Sequence, residues 1–254
     1  MNQLQALIFD VDGTLANTER DGHRLGFNQA FAQMGLDWQW SVELYGELLA
    51  VAGGKERIKY FIDRYQPNFP KVENLDEFIK QLHQLKNKHY QALLKQGAIP
   101  LRPGVKRLIT EAREQGLRLA IATTTTLANA TTLLENTLDP TWFEVIAAGD
   151  IVPAKKPAPD IYFYVLEQMQ IEPEHCLVLE DTAHGLEAAN EAKLKTVVTV
   201  NNYTEKQDFS KADLVVNHLG EADLPIKILQ GQEAIYKSGA PDYINLANLQ
   251  SLFD

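Results

Sequence analysis

The arrangement of apolar segments along the chain constrains its fold more than any other feature. Short apolar runs of strand length recur after glycine or polar residues, and segments with helical periodicity lie between them. Continuous apolar runs are typical of parallel strands that are buried on both faces of a sheet. The alternation indicates right-handed βαβ units. It predicts an α/β fold with a doubly wound, Rossmann-like parallel sheet. The strands are expected near 6–9, 117–122, 143–147, 176–179 and 196–200. The helices are expected near 104–115, 128–136, 159–168 and 183–191.

The segment between the first two predicted strands interrupts this alternation. From Ala16 to Gly97 the apolar residues follow a helical period almost throughout, which is too long for a simple crossover. We therefore expect an inserted all-helical cap domain at 16–98 and a core domain formed by 1–15 together with 99–254. Residues 213–216 are predicted to form an edge strand, and no role is assigned to 222–254.

Composition and charge exclude several classes of partner. The chain has 24 basic and 34 acidic residues, a formal net charge of −10, which argues against binding to nucleic acid or to anionic membranes. Cys176 is the only cysteine, so no internal disulfide can form. No apolar stretch approaches the about 18 residues of a membrane span, and the start lacks a signal-peptide pattern. We expect a cytoplasmic monomer that acts on a small molecule.

Two aspartates follow the first predicted strand. Asp10 and Asp12 stand one residue apart where the apolar run 6–9 ends, and Gly13 permits a sharp turn. Ligands of open α/β sheets bind beyond the carboxyl ends of the strands. Neighbouring carboxylates repel each other there, and a cation that prefers oxygen ligands, most naturally Mg²⁺, removes that cost. An Asx-rich turn is the simpler alternative for this segment alone.

Three further polar segments end later strands. Thr123 begins a run of four threonines, Lys156 precedes a proline, and Glu180 and Asp181 follow the run 176–179. Taken singly, the threonine run is equally typical of a strand end with helix caps, and the lysine segment is more typical of a surface loop. Taken together they supply a nucleophile, a proton shuttle, a metal site and positive charge at one edge of a sheet. Phosphoryl transfer through a covalent carboxyl phosphate requires these groups.

These segments resemble the four motifs of the haloacid dehalogenase superfamily of phosphatases over nearly the whole chain, and the insert resembles its helical cap of the first type. Segments 18–24, 45–49, 53–57 and 101–104 resemble the CbbY-like proteins of photosynthetic organisms. The resemblance implies a Mg²⁺-dependent phosphatase that hydrolyses xylulose 1,5-bisphosphate, an inhibitor of Rubisco. The alternatives are a β-phosphoglucomutase-like phosphotransferase and a phosphoglycolate phosphatase. A receiver domain is a more distant alternative, which the insert and Asp12 oppose.

The resemblance also implies roles for the core residues. Asp10 is expected to be the nucleophile, and Asp12 is expected to protonate the leaving alcohol and then to activate water. Magnesium is expected to be bound by Asp10, by the backbone carbonyl of Asp12 and by Asp181, with Glu180 as a direct or water-mediated ligand. The transferring phosphoryl group is expected to contact three further groups, which are the hydroxyl of Thr123, the amide of Thr124 and the ammonium of Lys156.

Substrate contacts are expected from the insert and its border. Lys55 follows two glycines at a predicted helix start, a pattern that suits a second phosphate but also a flexible helix entry. Glu19 and His23 lie four residues apart on one helix face and are candidates for binding sugar hydroxyls. The remaining candidate substrate-binding residues are basic. Arg57 and Arg102 could join Lys55 at the second phosphate, and Arg102 is favoured because it borders a hinge. Lys86 lies in a run of polar residues that is more typical of a solvated helix face.

Overall fold

The computed structural model describes residues 4–51, 53–149, 151–231, 235 and 242–253. The chain forms two compact units. The first comprises Met1–Asn17 and Pro100–Asp254, and the second comprises Thr18–Ile99. The expected insert at 16–98 coincides with the second unit to within two residues at each end.

The first unit contains a seven-stranded sheet with the strand order β3-β2-β1-β4-β5-β6-β7. All neighbouring strands are parallel except β6 and β7, which are antiparallel. The strands are β1 (Ala6–Phe9), β2 (Arg118–Thr123), β3 (Val145–Ala148), β4 (Cys176–Glu180), β5 (Lys195–Thr199), β6 (Leu214–Val216) and β7 (Ile228–Gln230). The predicted α/β class and parallel sheet are therefore confirmed.

The second unit is helical. Its helices are α1 (Arg24–Gln33), α2 (Val42–Leu48), α3 (Gly54–Tyr65) and α4 (Leu75–Lys95), and a π-helical turn (Glu19–His23) runs directly into α1. The side chain of Asn74 caps α4 by accepting a hydrogen bond from the amide of Glu77. Aromatic rings fill the interior, with the ring of Trp40 centred 4.5 Å from Phe27 and 4.9 Å from Phe31. These edge and tilted ring contacts stabilise the unit by more than the burial of apolar surface alone would.

Four helices of the first unit connect its parallel strands: α5 (Val105–Glu114), α6 (Leu127–Thr137), α7 (Asp160–Met169) and α8 (Ala183–Glu191). Ala6 and Ile8 of β1 pack into one hydrophobic cluster with residues of α7 and α8. Leu7 and Phe9 point to the opposite face of the sheet and are equally buried. Burial on both faces explains why β1 is apolar at every position.

One strand prediction was wrong in detail. Residues 214–216 do form a strand, but β7 pairs with it on its outer side, so β6 is not the edge of the sheet. The sequence did not indicate β7, because its three residues are not buried and carry no apolar run. A short helix, Leu246–Gln250, follows in the described part of the C-terminal segment. Among the described residues, no helix has the length and hydropathy needed to cross a membrane.

Candidate active site

The strand order places the predicted catalytic segments side by side. β1 lies between β2 and β4, and Phe9 is in register with Ile121 and Leu179. The amide of Asp10 donates to the carbonyl of Leu179 at 3.0 Å. Asp10 and Glu180 therefore lie next to each other where β1 and β4 end. Because all three strands are parallel, the residues at their carboxyl ends meet at one edge of the sheet.

Lys156 joins these strand ends. Its ammonium group donates to Asp10 Oδ1 at 2.9 Å, to Glu180 Oε1 at 2.5 Å and to the carbonyl of Ala122 at 2.8 Å. Its side chain is only 6% exposed. Burial by itself lowers the pKa of Lys156, but Asp10 and Glu180 outweigh it and hold the pKa well above the ordinary value. Lys156 is therefore a permanent cation between two carboxylates.

Both oxygens of Glu180 accept hydrogen bonds. The hydroxyl of Tyr162 donates to Oε1 at 3.0 Å, and the amides of Asp181 and Thr182 donate to Oε2 at 3.0 and 3.4 Å. A Cβ atom on Gly185 would lie 1.9–2.1 Å from the carboxylate of Glu180, so only glycine fits at that point of α8. These contacts fix Glu180 as the anchor of the lysine.

Asp181 is held by the loop after β1 and by a residue beyond β5. Asn201 Nδ2 donates to Asp181 Oδ2 at 2.7 Å, and Thr14 Oγ1 donates to Oδ1 at 3.4 Å. Gly13 has a φ of +95°, and a Cβ there would lie 2.1 Å from Asp181 Oδ2. Glycine is therefore required at this position both by its backbone conformation and by the close approach of Asp181.

Three buried carboxylates form a group that could bind a metal ion. Asp10, Glu180 and Asp181 each offer an oxygen within 4.8 Å of the others. Burial and the charge of Glu180 raise the pKa of Asp10 to about 7, although Lys156 opposes the shift. Burial, with the charge of Asp10 next, raises the pKa of Asp181 well above its usual range. Carboxylates that repel one another in a dry site fit a hard divalent cation with oxygen ligands, such as Mg²⁺.

The predicted phosphate-binding residues lie at the same edge of the sheet. Thr123 ends β2 and is fully buried, and its hydroxyl accepts a hydrogen bond from the amide of Thr125 at 3.2 Å. Its own proton can therefore be donated to a phosphoryl oxygen. Thr124 is exposed, and Asp12 is half-buried in the turn that leads to Ala16.

The substrate contact expected of Arg102 is not what the structure shows. Its side chain is buried in the first unit and donates to backbone carbonyls of Gly13, Thr199, Val200 and Asn217. A basic residue at the border of the insert suggested a phosphate ligand. The side chain instead turns inward, because the adjacent Leu101 pairs with Ala16 and places Arg102 beside the loop after β1.

In the second unit, four of the predicted residues form a polar cluster with Tyr45, in which Arg57 and Lys86 are buried and Glu19 and His23 are half-buried. The hydroxyl of Tyr45 donates to Glu19 Oε2 at 2.6 Å and accepts from Arg57 Nη1 at 3.2 Å. Lys86 Nζ lies 2.8 Å from His23 Nδ1. Burial lowers the pKa of His23 to about 3, so the imidazole is neutral and its Nδ1 accepts from the ammonium.

The remaining predicted residue of the second unit lies outside this cluster. Lys55 is the second residue of α3 and is exposed, and Gly54 before it packs against the ring of His83. Arg57 also donates to the carbonyls of Leu48 and Val51, which fixes the start of α3 to the end of α2. Arg57 is therefore held mainly by structural contacts.

A search against protein-family models gives a match over residues 4–193 to the haloacid dehalogenase-like hydrolases. The chain belongs to this hydrolase family. CbbY from Cupriavidus necator is 46% identical over 226 residues, which cover 88% of this chain and 89% of that relative. A phosphorylated carbohydrates phosphatase from Thermotoga maritima is 29% identical, covering 78% of this chain and 85% of its own.

Solved structures of the same family are also similar. A CbbY from Rhodobacter sphaeroides, crystallised as an Asp-to-Asn variant in complex with xylulose-(1,5)bisphosphate, is 42% identical with a TM-score of 0.68. The match covers 85% of this chain and 94% of that one. The chain is accordingly a CbbY-like haloacid dehalogenase phosphatase.

Sequence reasoning missed two residues that hold Asp181 and Glu180 in place, which are Asn201 and Tyr162. Asn201 follows the apolar run of β5, just as Asp10 follows the apolar run of β1. Its position at the end of a strand could have marked Asn201 as a candidate site residue. Tyr162 lies in the first turn of α7, where an aromatic residue is indistinguishable from an ordinary core residue. Its contact with Glu180 depends on how α7 packs on the sheet.

Proposed function

We propose that the protein is a Mg²⁺-dependent phosphatase that hydrolyses xylulose 1,5-bisphosphate through a phosphorylated Asp10. The observation that carries the chemistry is the buried cluster in which Lys156 contacts Asp10 and Glu180 while Asp181 lies beside them. The choice of substrate is supported by the CbbY relative that was crystallised with this bisphosphate.

The first step forms a bond between a carboxylate oxygen of Asp10 and phosphorus while the ester P–O bond breaks. Lys156 holds Oδ1 of Asp10, so the other oxygen is available for attack. Asp12 donates its proton to the departing alcohol oxygen, and Thr123 and Lys156 stabilise charge on the phosphoryl oxygens. When bound, Mg²⁺ neutralises charge on the carboxylates and the phosphoryl group, and Asp10, the carbonyl of Asp12 and Asp181 would hold it.

The second step releases inorganic phosphate. Asp12, now a carboxylate, removes a proton from water as the water oxygen attacks phosphorus, and the bond to Asp10 breaks. This returns Asp10 to the free carboxylate that contacts Lys156. Glu180 keeps Lys156 in place during both steps, because its own oxygens are fixed by Tyr162 and by two backbone amides.

We assign recognition of the sugar and of the second phosphate to side chains of the second unit. This unit has 11 of the 24 basic residues but only 10 of the 34 acidic ones, so it is the less acidic part of the chain. The half-buried Glu19 and His23 and the buried Lys86 offer an acceptor, a ring N–H and an ammonium suited to hydroxyl groups and phosphate. Lys55 is exposed and suits a distal phosphate.

The test is a phosphate-release assay with xylulose 1,5-bisphosphate and a panel of sugar monophosphates, in Mg²⁺ and in EDTA. We expect turnover of the bisphosphate only with the metal, and none by an Asp10→Asn variant that keeps its circular dichroism spectrum. Free phosphate without an isomerised sugar phosphate separates hydrolysis from the mutase reaction. Turnover by folded Asp10→Asn at the wild-type rate would refute the proposed nucleophile.

A second assay tests the distal phosphate. Lys55→Ala is expected to raise KM for the bisphosphate while leaving KM for p-nitrophenyl phosphate unchanged, because the small substrate has no second phosphate. Lys59, an exposed lysine of the same helix, provides the matched control as Lys59→Ala. Equal effects of Lys55→Ala on both substrates would remove Lys55 from the site.

A further inference from the structure

Arg102 connects three separate segments at the active edge of the sheet. Its Nη1 donates to the carbonyl of Gly13 and, at 2.8 Å, to the carbonyl of Thr199. Its Nη2 donates to the carbonyl of Val200 at 2.6 Å and to that of Asn217 at 2.8 Å. One planar guanidinium thus fixes the loop after β1 to the ends of β5 and β6.

Two of these segments are the ones that hold Asp181. Gly13 packs directly against Asp181 Oδ2, as the 2.1 Å distance to its hypothetical Cβ indicates. Asn201, the residue after Val200, donates to the same oxygen at 2.7 Å. A movement of either segment would therefore move the carboxylate of Asp181.

A buried guanidinium that donates to backbone carbonyls has a cost in desolvation that its hydrogen bonds must offset. The side chain of Arg102 is only 6% exposed, and the bonds described here end on neutral oxygen atoms. Packing alone would be satisfied by an apolar residue of similar length at this position.

We propose that Arg102 is a positioning residue that sets the affinity of the carboxylate cluster for a divalent cation, by fixing Gly13 and Asn201 on either side of Asp181. This inference rests on the proposed function only in that it assumes a cation at the cluster. Residues that orient metal ligands without touching the metal typically change affinity by about 10- to 100-fold when replaced. A purely structural arginine would change stability without changing that affinity.

Arg107 is a suitable control, because it makes a similar set of bonds elsewhere in the same unit. Its Nη2 donates to the carbonyls of Leu219, Gly220 and Ile244 at 2.8–3.1 Å. These carbonyls belong to the segments after β6 and not to the loop after β1. Arg107→Met should therefore reduce stability as Arg102→Met does, without affecting Asp181.

The experiment measures binding of Mn²⁺ to the full chain without substrate, by titration followed with electron paramagnetic resonance, alongside thermal unfolding in EDTA. We expect Arg102→Met to weaken Mn²⁺ binding by about tenfold or more, and Arg107→Met to remain within about twofold of wild type. Arg102→Lys keeps the charge but cannot span all the carbonyls, so an intermediate affinity is expected. Both methionine variants should unfold at a lower temperature than wild type.

The outcomes separate this inference from the proposed function. Wild-type Mn²⁺ affinity in folded Arg102→Met, or an equal loss in Arg107→Met, would overturn it. If Arg102→Met does not fold, Arg102→Lys decides, and an affinity equal to wild type would again overturn it. If wild type binds Mn²⁺ with the expected variant effects but does not hydrolyse xylulose 1,5-bisphosphate, the inference stands and the proposed substrate fails.

Discussion

Replacing Gly185 by alanine tests the packing around Glu180 directly. Gly185 lies inside α8, where a change from glycine to alanine ordinarily stabilises a helix by about 1 kcal/mol. Here the new Cβ would lie 1.9 Å from Glu180 Cδ and 2.0–2.1 Å from both carboxylate oxygens. Real Cβ atoms essentially never come within 3.0 Å of such neighbours, so the carboxylate or the helix must move.

The size of the effect follows from the contacts that this movement disturbs. Crowding of a packed site costs about 1–3 kcal/mol. Loss of the bond from Tyr162 to the charged carboxylate adds about 1.5–3 kcal/mol. After the helix gain is subtracted, we expect Gly185→Ala to lower the free energy of unfolding by about 1.5–5 kcal/mol. Displacement of Glu180 should also lower kcat, because Lys156 loses its 2.5 Å contact.

A double-mutant cycle isolates the cause. Glu180→Ala removes the group with which the new methyl collides, so adding Gly185→Ala to that background should stabilise the protein by about 1 kcal/mol. The four proteins are compared by urea denaturation followed with circular dichroism. The reasoning is refuted if Gly185→Ala stabilises the protein with Glu180 in place, or if its effect is the same in both backgrounds.

Three further predictions concern stability. In EDTA, the free energy of unfolding should fall as the pH rises from about 4 to 7. The pKa of Asp10 is about 7 in the folded protein and 3.8 for an ordinary aspartate, so the folded state holds more protons than the unfolded state in that interval. Asp10→Asn should flatten the decline in urea titrations across this range, and an unchanged slope would contradict the raised pKa. Tyr162→Phe should cost about 1.5–3 kcal/mol through the lost bond to Glu180, whereas a neutral result would mean that bond is not formed. Tyr45→Phe should destabilise the second unit by a similar amount, about 1.5–3 kcal/mol, because the half-buried Glu19 loses its 2.6 Å donor; a thermal melt identical to wild type would exclude this.

The sequence alone determined the parts of this protein that depend on local pattern. Apolar runs mark β1 to β5 because a strand buried on both faces needs an apolar side chain at nearly every position. The positions of Asp10, Thr123 and Glu180 at the ends of such runs then follow from parallel topology, which brings carboxyl ends to one edge. The helix α8 was predicted with its observed bounds, 183–191.

Tertiary structure alone decided what individual polar side chains do. Arg102 and Gly13 are 89 residues apart, and Lys156 and Asp10 are 146 apart. The direction of a long side chain is set by neighbours from such distant segments, and no local period records it. For this reason the sequence suggested that Arg102 faces a substrate, whereas the folded chain directs it to the carbonyls beside Asp181. The roles of Tyr162 and Asn201, and the pairing of β7 with β6, became apparent for the same physical reason.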